Sequence, residues 1–258
     1  MKQIASRDNP LFKACLALAE RRQARRETGR TLLDGEHLLD EAIKADIRPR
    51  QLIFSEAVAG TTDWTRRLPD VPAVSLAPSL FAKLAPVANP TGVLAVIDIP
   101  CPVPKPAKAV VLLEDIQDPG NLGALFRTAA AAGIEAVYLS KGCAEAWSPK
   151  ALRGGQGGHF MLPIHEDADL VAVARGLPGT VYAAALRSPR RLYDLDLTGP
   201  VAFAFGNEGA GLSPALLAET EAFSIPMPGG VESLNVGAAA AIVLFERVRQ
   251  LGVGSAAA

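Results

Sequence analysis

Apolar residues fall in short runs separated by polar stretches of helical periodicity, and the rhythm changes near residue 100. Beyond it the alternation is regular. Runs at 110–114, 136–140, 180–186, 200–206 and 222–227 read as strands, and 121–132, 166–176, 213–220 and 234–250 read as helices. Strands alternating with helices predict a mostly parallel sheet with helices on both faces. The first part reads as a smaller α/β unit. Helices are expected over 10–26 and 35–43, with strands at 31–34, 51–54 and 92–97. Between the two parts, Pro100, Pro102, Pro104 and Pro106 stand at every second position. They cannot join a helix or a central ladder and suit an extended linker. The expected organisation is therefore a domain over 1–98, a linker over 99–108 and a second domain over 109–258.

Three strand-like runs of the second domain lead into glycine-punctuated polar loops. They are Asp118-Pro119-Gly120-Asn121-Leu122-Gly123, Gly206-Asn207-Glu208-Gly209-Ala210-Gly211 and Gly229-Gly230-Val231-Glu232-Ser233-Leu234-Asn235. Ligands of open α/β sheets bind at the carboxyl ends of the strands, on such loops. Three of them suggest one composite site. Asn121 and Ser233 are candidate helix caps. Arg127 lies one turn past Gly123 on the same helix face, where its fork of donors suits a phosphate or carboxylate. Glu208 suits a hydroxyl, a cation or a helix N-terminus.

Composition adds few exclusions. An apolar fraction of 49% and a charged fraction of 21% are those of a globular chain, with no apolar run of membrane-spanning length and no secretory leader in sight. Cys15, Cys101 and Cys143 have no metal or redox spacing, so no metal is expected and a reducing cytoplasm is the simplest setting. There is no G-x-G-x-x-G at a strand–helix junction, no P-loop and no nucleophile elbow. The net charge of −1 is unevenly spread: in residues 1–30, eight basic side chains against Asp8, Glu20 and Glu27 give +5, leaving −6 for the rest. Such a stretch suits contact with phosphates or a solvated helix face. His37, alone, reads as a helix-surface residue.

Taken with their neighbours, the three loops resemble the ordered motifs of the SpoU (TrmH-type) RNA ribose 2′-O-methyltransferases of the SPOUT superfamily. The resemblance runs through Asp118–Arg127, Phe205–Ser213 and Ile225–Val236 and covers the second domain. The first domain is similar, at 33–37 and 90–95, to the ribosomal-protein-L30e-like substrate-binding domain of many members. The family's fold would tie the second domain in a deep trefoil knot, against ordinary topology rules. It implies S-adenosylmethionine as cofactor, with Gly206, Asn207, Ile225, Met227 and Leu234 lining its pocket. It also implies a homodimer with the site near the subunit interface, acting on RNA, 23S ribosomal RNA before transfer RNA. Arg127 would be the central activating residue, with Asn121, Glu208, Ser233 and Asn235 around it. An arginine stays protonated in proteins, so an electrostatic anchor for phosphate and developing alkoxide is the preferred role. The proton would go to a phosphate oxygen or a transiently neutral guanidine. One segment departs from the family: Gly154–Phe160 stands where many members carry Ser-Ala-Gly, and His159 is either a base-stacking or a packed residue. A catalytically silent RNA-binding or ribosome-assembly factor is the alternative; without the resemblance, a small-molecule α/β enzyme would be the default.

Overall fold

The computed structural model describes residues 1–252 except 86, 88, 89, 104, 186 and 187. Leu186 of the expected strand 180–186, Pro104 of the linker and the last six residues of the second domain thus lie outside the described residues. The chain forms two sheets. The first holds β1 (Lys2–Ile4), β2 (Arg30–Asp34), β3 (Gln51–Ser55), β4 (Ala73–Leu76) and β5 (Val93–Asp98) in the order β1-β4-β3-β5-β2. Strand β5 runs antiparallel to both its neighbours, and the other pairs are parallel. Helices α1 (Pro10–Glu20), α2 (Arg22–Thr28), α3 (Glu36–Lys44), α4 (Trp64–Arg67) and α5 (Pro78–Leu84) accompany this sheet.

The single helix expected over 10–26 is two. Arg21 is extended, and the Arg25 guanidinium reaches back to the Leu18 and Ala19 carbonyls, satisfying acceptors that the end of α1 leaves open. Short β1 and β4 were not expected, because three or four residues give too little alternation to read.

The second sheet holds β6 (Ala109–Leu113), β7 (Ala136–Leu139), β8 (Ile164–His165), β9 (Thr180–Ala184), β10 (Val201–Phe205) and β11 (Glu221–Phe223), in the order β11-β9-β10-β6-β7-β8. Every pairing is parallel, as the alternation predicts. Its central strands, Ala109-Val110-Val111-Leu112-Leu113 and Val201-Ala202-Phe203-Ala204-Phe205, are buried at every position. Continuous apolar runs are what a strand covered on both faces requires. The helices are α6 (Pro119–Ala131), α7 (Pro149–Gly155), α8 (Leu170–Gly176), α9 (Pro214–Leu217) and α10 (Val236–Gln250). Helices α6, α7 and α9 begin on a capping Asp or Ser followed by Pro, a start in which the missing proline N–H costs nothing.

Strand order reverses between β6 and β10. The sequence runs outward from β6 through β7 and β8 on one side, and β10, β9 and β11 lie on the other. A crevice therefore opens at the carboxyl ends of β6 and β10. Helix α7 lies where the glycines suggested loop. A Cβ on Gly123 of α6 would sit 2.2 Å from the Ala151 carbonyl oxygen and 2.7 Å from the Gly155 nitrogen. Gly123 thus brings α6 and α7 into backbone contact, and does not clear a face for a ligand beside Arg127.

Candidate active site

In the loop after β6, Asp115 is held in the left-handed region (φ 55°), its carboxylate bonded by the Ser140 hydroxyl at 2.6 Å. Asp118 caps α6 by accepting the Asn121 N–H at 2.8 Å, and Lys150 of α7 pairs with its second oxygen at 2.7 Å. Lys150, helped by the Asn121 N–H, holds the Asp118 carboxyl below the usual range. Asn121 therefore stands inside the first turn and is not the cap. This frees its side chain. Its Nδ2 donates to Glu208 Oε1 at 2.9 Å, and its Oδ1 accepts from Asn235 Nδ2 at 3.1 Å. Asn235, not Ser233, caps α10, taking the Gly237 and Ala238 N–H groups on its Oδ1. One amide thus ties the loops after β6, β10 and β11 together. The orientation of each amide is fixed by these partners, since each oxygen and nitrogen has one assigned role.

The loop after β10 closes on itself. Asn207 and Gly211 exchange backbone bonds of 3.1 and 2.9 Å, and Asn207 Oδ1 accepts from Gly209 and Ala210. Asn207 Nδ2 donates to the Asp115 carbonyl at 2.9 Å, lacing this loop to the one after β6. Ser213 caps α9 and donates to Glu114, so Glu208 is not its cap.

Beside the amide cluster lies a cavity of about 400 Å³. Gly206, Asn207, Ile225, Met227 and Leu234 line it, with Phe205, Glu208–Leu212, Ser233 and Ala184–Ala185. Its lining combines apolar side chains, a glycine-rich loop and the polar Asn207, Glu208 and Ser233, a combination suited to a ligand with apolar and polar parts. Glu208 and Ser233 belong to both the expected catalytic set and this lining. Arg127 does not line it. It is exposed on α6, six residues and about 9 Å of helix beyond Asn121, and makes no ion pair or side-chain hydrogen bond among the described residues.

His159 does not stack on a base. It is 1% exposed, set edge-on to Phe126 (4.7 Å) and against Trp147 (5.4 Å), with Nε2 2.8 Å from the Ala146 carbonyl oxygen. Burial pushes its pKa from 6.5 to about 4. The unfolded chain binds a proton below pH 6.5, whereas the folded chain does so only near pH 4. Stability is thus expected to fall as pH drops through that window, by on the order of 3 kcal/mol from this residue. Urea unfolding of the protein and its His159→Phe variant between pH 7 and 4 checks this; the variant loses that part of the slope.

The basic N-terminal stretch is partly committed within the protein. Arg25 is buried against Glu145, Arg26 pairs with Asp167, Lys13 with Asp8 and Arg30 with Asp98. Removing 1–30 would take away β1 and α1, not a free tail. No group of three or more His, Cys, Asp or Glu side chains fit to hold a metal occurs among the described residues, and no helix among them is long and apolar enough to cross a membrane.

Comparison with known proteins places this arrangement. Residues 108–245 match the SpoU rRNA Methylase family, and residues 9–95 match the MRM3-like substrate binding domain. The chain is 33% identical to the 23S rRNA (guanosine(2553)-2′-O)-methyltransferase RlmP of Bacillus subtilis, over 95% of this chain and 98% of that one. Among solved structures it resembles the SpoU methyltransferase AviRb from Streptomyces viridochromogenes in complex with AdoMet (TM-score 0.85, 28% identity, 95% of this chain and 99% of that one). It also resembles the AdoMet-bound rRNA methyltransferase from Sinorhizobium meliloti (TM-score 0.83, 27% identity, 97% and 98%).

Proposed function

This chain belongs to the SpoU rRNA methylase family, and from that premise we propose how its own residues divide the work of a methyl transfer to RNA. The enzyme moves the methyl group of S-adenosylmethionine to a ribose 2′-hydroxyl. The substrate we assign is 23S ribosomal RNA, in keeping with the RlmP relative.

The observation that carries the division is the Asn121–Glu208–Asn235 cluster at the rim of the 400 Å³ cavity. The cavity fits the cofactor in size and lining: Ile225, Met227 and Leu234 supply apolar wall, and Gly206 and Asn207 supply backbone. Bound there, S-adenosylmethionine supplies an electrophilic methyl group on a sulfonium. Asn121 and Asn235 hold Glu208 and the three loops in register, and Ser233 presents a hydroxyl at the rim. Arg127, without an ion pair or side-chain hydrogen bond among the described residues, grips the phosphate of the target nucleotide and stabilises the alkoxide that develops on the 2′-oxygen. Attack of the 2′-oxygen on that methyl group would displace the sulfur and release the hydroxyl proton, which a phosphate oxygen held by Arg127 would take up.

Arg127 stands apart from the cluster within one chain, which supports a homodimer whose second copy brings an arginine toward the cavity; half-exposed Phe245 on α10 offers apolar surface for such pairing. Membership of the SpoU family is what supports a trefoil knot in the second domain. We assign 1–98 to RNA binding, 99–108 to a linker and 109–258 to catalysis, and the free thiols Cys15, Cys101 and Cys143 suit a cytoplasmic enzyme.

Incubation with labelled S-adenosylmethionine and unmodified 23S ribosomal RNA tests this. Label is expected in the RNA, at a ribose that maps as 2′-O-methylated. No transfer to ribosomal or transfer RNA, free or in particles, would leave the silent RNA-binding factor in its place.

A further inference from the structure

We propose that the N-terminal domain sets the position of Arg127 through a buried latch, so that docking of the substrate-binding domain and the methyl-transfer chemistry are mechanically coupled. Arg25 on α2 and Glu145, in the segment between β7 and α7, are 4% and 8% exposed. Their contact is bidentate, with Arg25 Nε 2.7 Å from Glu145 Oε1 and the second nitrogen on Oε2. A fork-on-carboxylate pair fixes direction as well as distance. The two residues after Glu145 carry the restraint onward. The Ala146 carbonyl accepts from His159 Nε2, and the Trp147 carbonyl accepts from the wholly buried Thr31 hydroxyl of β2 at 2.7 Å. The His159 ring lies between Trp147 and Phe126, the residue before Arg127. Gly158 completes the path: a Cβ there would sit 2.8 Å from the Arg127 Cα, so this backbone bears directly on α6.

The path is therefore Arg25 and Thr31 in the first domain, Glu145–Trp147, Gly158–His159, and the Arg127 backbone. Packed interiors transmit small displacements. A misplacement of about 1 Å at a reacting group can cost on the order of 100-fold in rate. Arg25, Glu145, Thr31 and His159 are positioning residues in this scheme. Their action rests on the reading of Arg127 as the group that holds phosphate and alkoxide.

The test uses the full chain with S-adenosylmethionine and 23S ribosomal RNA. The double variant Arg25→Met/Glu145→Met replaces a buried ion pair with apolar side chains of similar length, an exchange that often preserves stability. Thermal unfolding verifies that it folds. Expected is a kcat reduced on the order of 10- to 100-fold, with S-adenosylmethionine affinity unchanged in calorimetry. A folded double variant with full kcat overturns the proposal, as does a parallel loss of cofactor affinity, which would mean general loosening. Should the double variant not fold, Thr31→Val is expected to lower kcat several-fold and Thr31→Ser, which keeps the hydroxyl, to restore it; equal rates in these two variants overturn it as well. Arg127→Ala separates the two levels. If it retains transfer, the assignment of Arg127 fails; if it abolishes transfer while the latch variants run at full rate, only the latch fails.

Discussion

Arg127→Ala is expected to lower single-turnover methyl transfer by on the order of 100- to 1,000-fold, the usual cost of removing one charge-stabilising donor. S-adenosylmethionine affinity should stay within about twofold, because Arg127 does not line the cavity. The separation follows from position. Arg127 is exposed and has no partner among the described residues, so its guanidinium is spent on nothing within the chain. Removing it leaves no buried group orphaned, and folding should be unaffected. Arg127→Lys keeps the charge and loses the planar fork, so it is expected to recover only part of the rate if two oxygens are held at once. Quenched-flow transfer under saturating cofactor, alongside calorimetric binding, measures both quantities. A variant that loses cofactor affinity in step with rate would move Arg127 into the binding site and undo the assignment.

Much of this arrangement was legible in the sequence, for reasons that differ by residue. The continuous apolar runs of β6 and β10, short and closed by glycine-rich loops, read as strands covered on both faces, and the alternation after residue 109 implied a parallel sheet. The loops were legible because glycine and polar residues gather where strands end at a ligand crevice. What could not be read was contact between segments distant in sequence. Asn121 and Ser233 both looked like caps, and only folding decides that Asp118 and Asn235 take those roles. That substitution turns Asn121 from a helix-end residue into the joint between Glu208 and Asn235. Gly123 carried a true signal of close approach, but the approaching partner is α7 and not a ligand. Helix α7 itself was hidden by Gly154 and Gly155, which read as loop, although Ser148-Pro149 is the same start that begins α9. The basic run from Arg21 to Arg30 showed its charge but not its address. Arg25 faces Glu145, 120 residues away, and no local pattern encodes that pairing.

The largest effect on cofactor binding is expected from one methyl group, in Gly206→Ala. A Cβ at Gly206 would lie 2.3 Å from the Gly211 carbonyl carbon, 2.4 Å from its oxygen and 2.6 Å from the Leu212 nitrogen. All three are backbone atoms, so no side-chain rotation relieves the overlap. The loop cannot yield cheaply, because Asn207 and Gly211 exchange two backbone bonds and the Asn207 side chain pins Gly209, Ala210 and the Asp115 carbonyl. Overpacking of this kind costs about 1–3 kcal/mol, which in a chain of this size is a drop in Tm of several degrees. The cofactor is expected to lose more, since the displaced segment 206–212 lines the cavity proposed to hold it. Affinity for S-adenosylmethionine is expected to weaken by about 100-fold, or about 2.7 kcal/mol. Gly199→Ala, outside the cavity lining, is the control. Its Cβ would meet nothing within 4 Å. It should leave affinity within about twofold, far from the tenfold that each 1.4 kcal/mol represents. Calorimetric titration of the two variants decides the matter: equal affinities would mean that the cofactor does not lie against this loop, whereas loss at Gly206 alone ties this wall to the ligand.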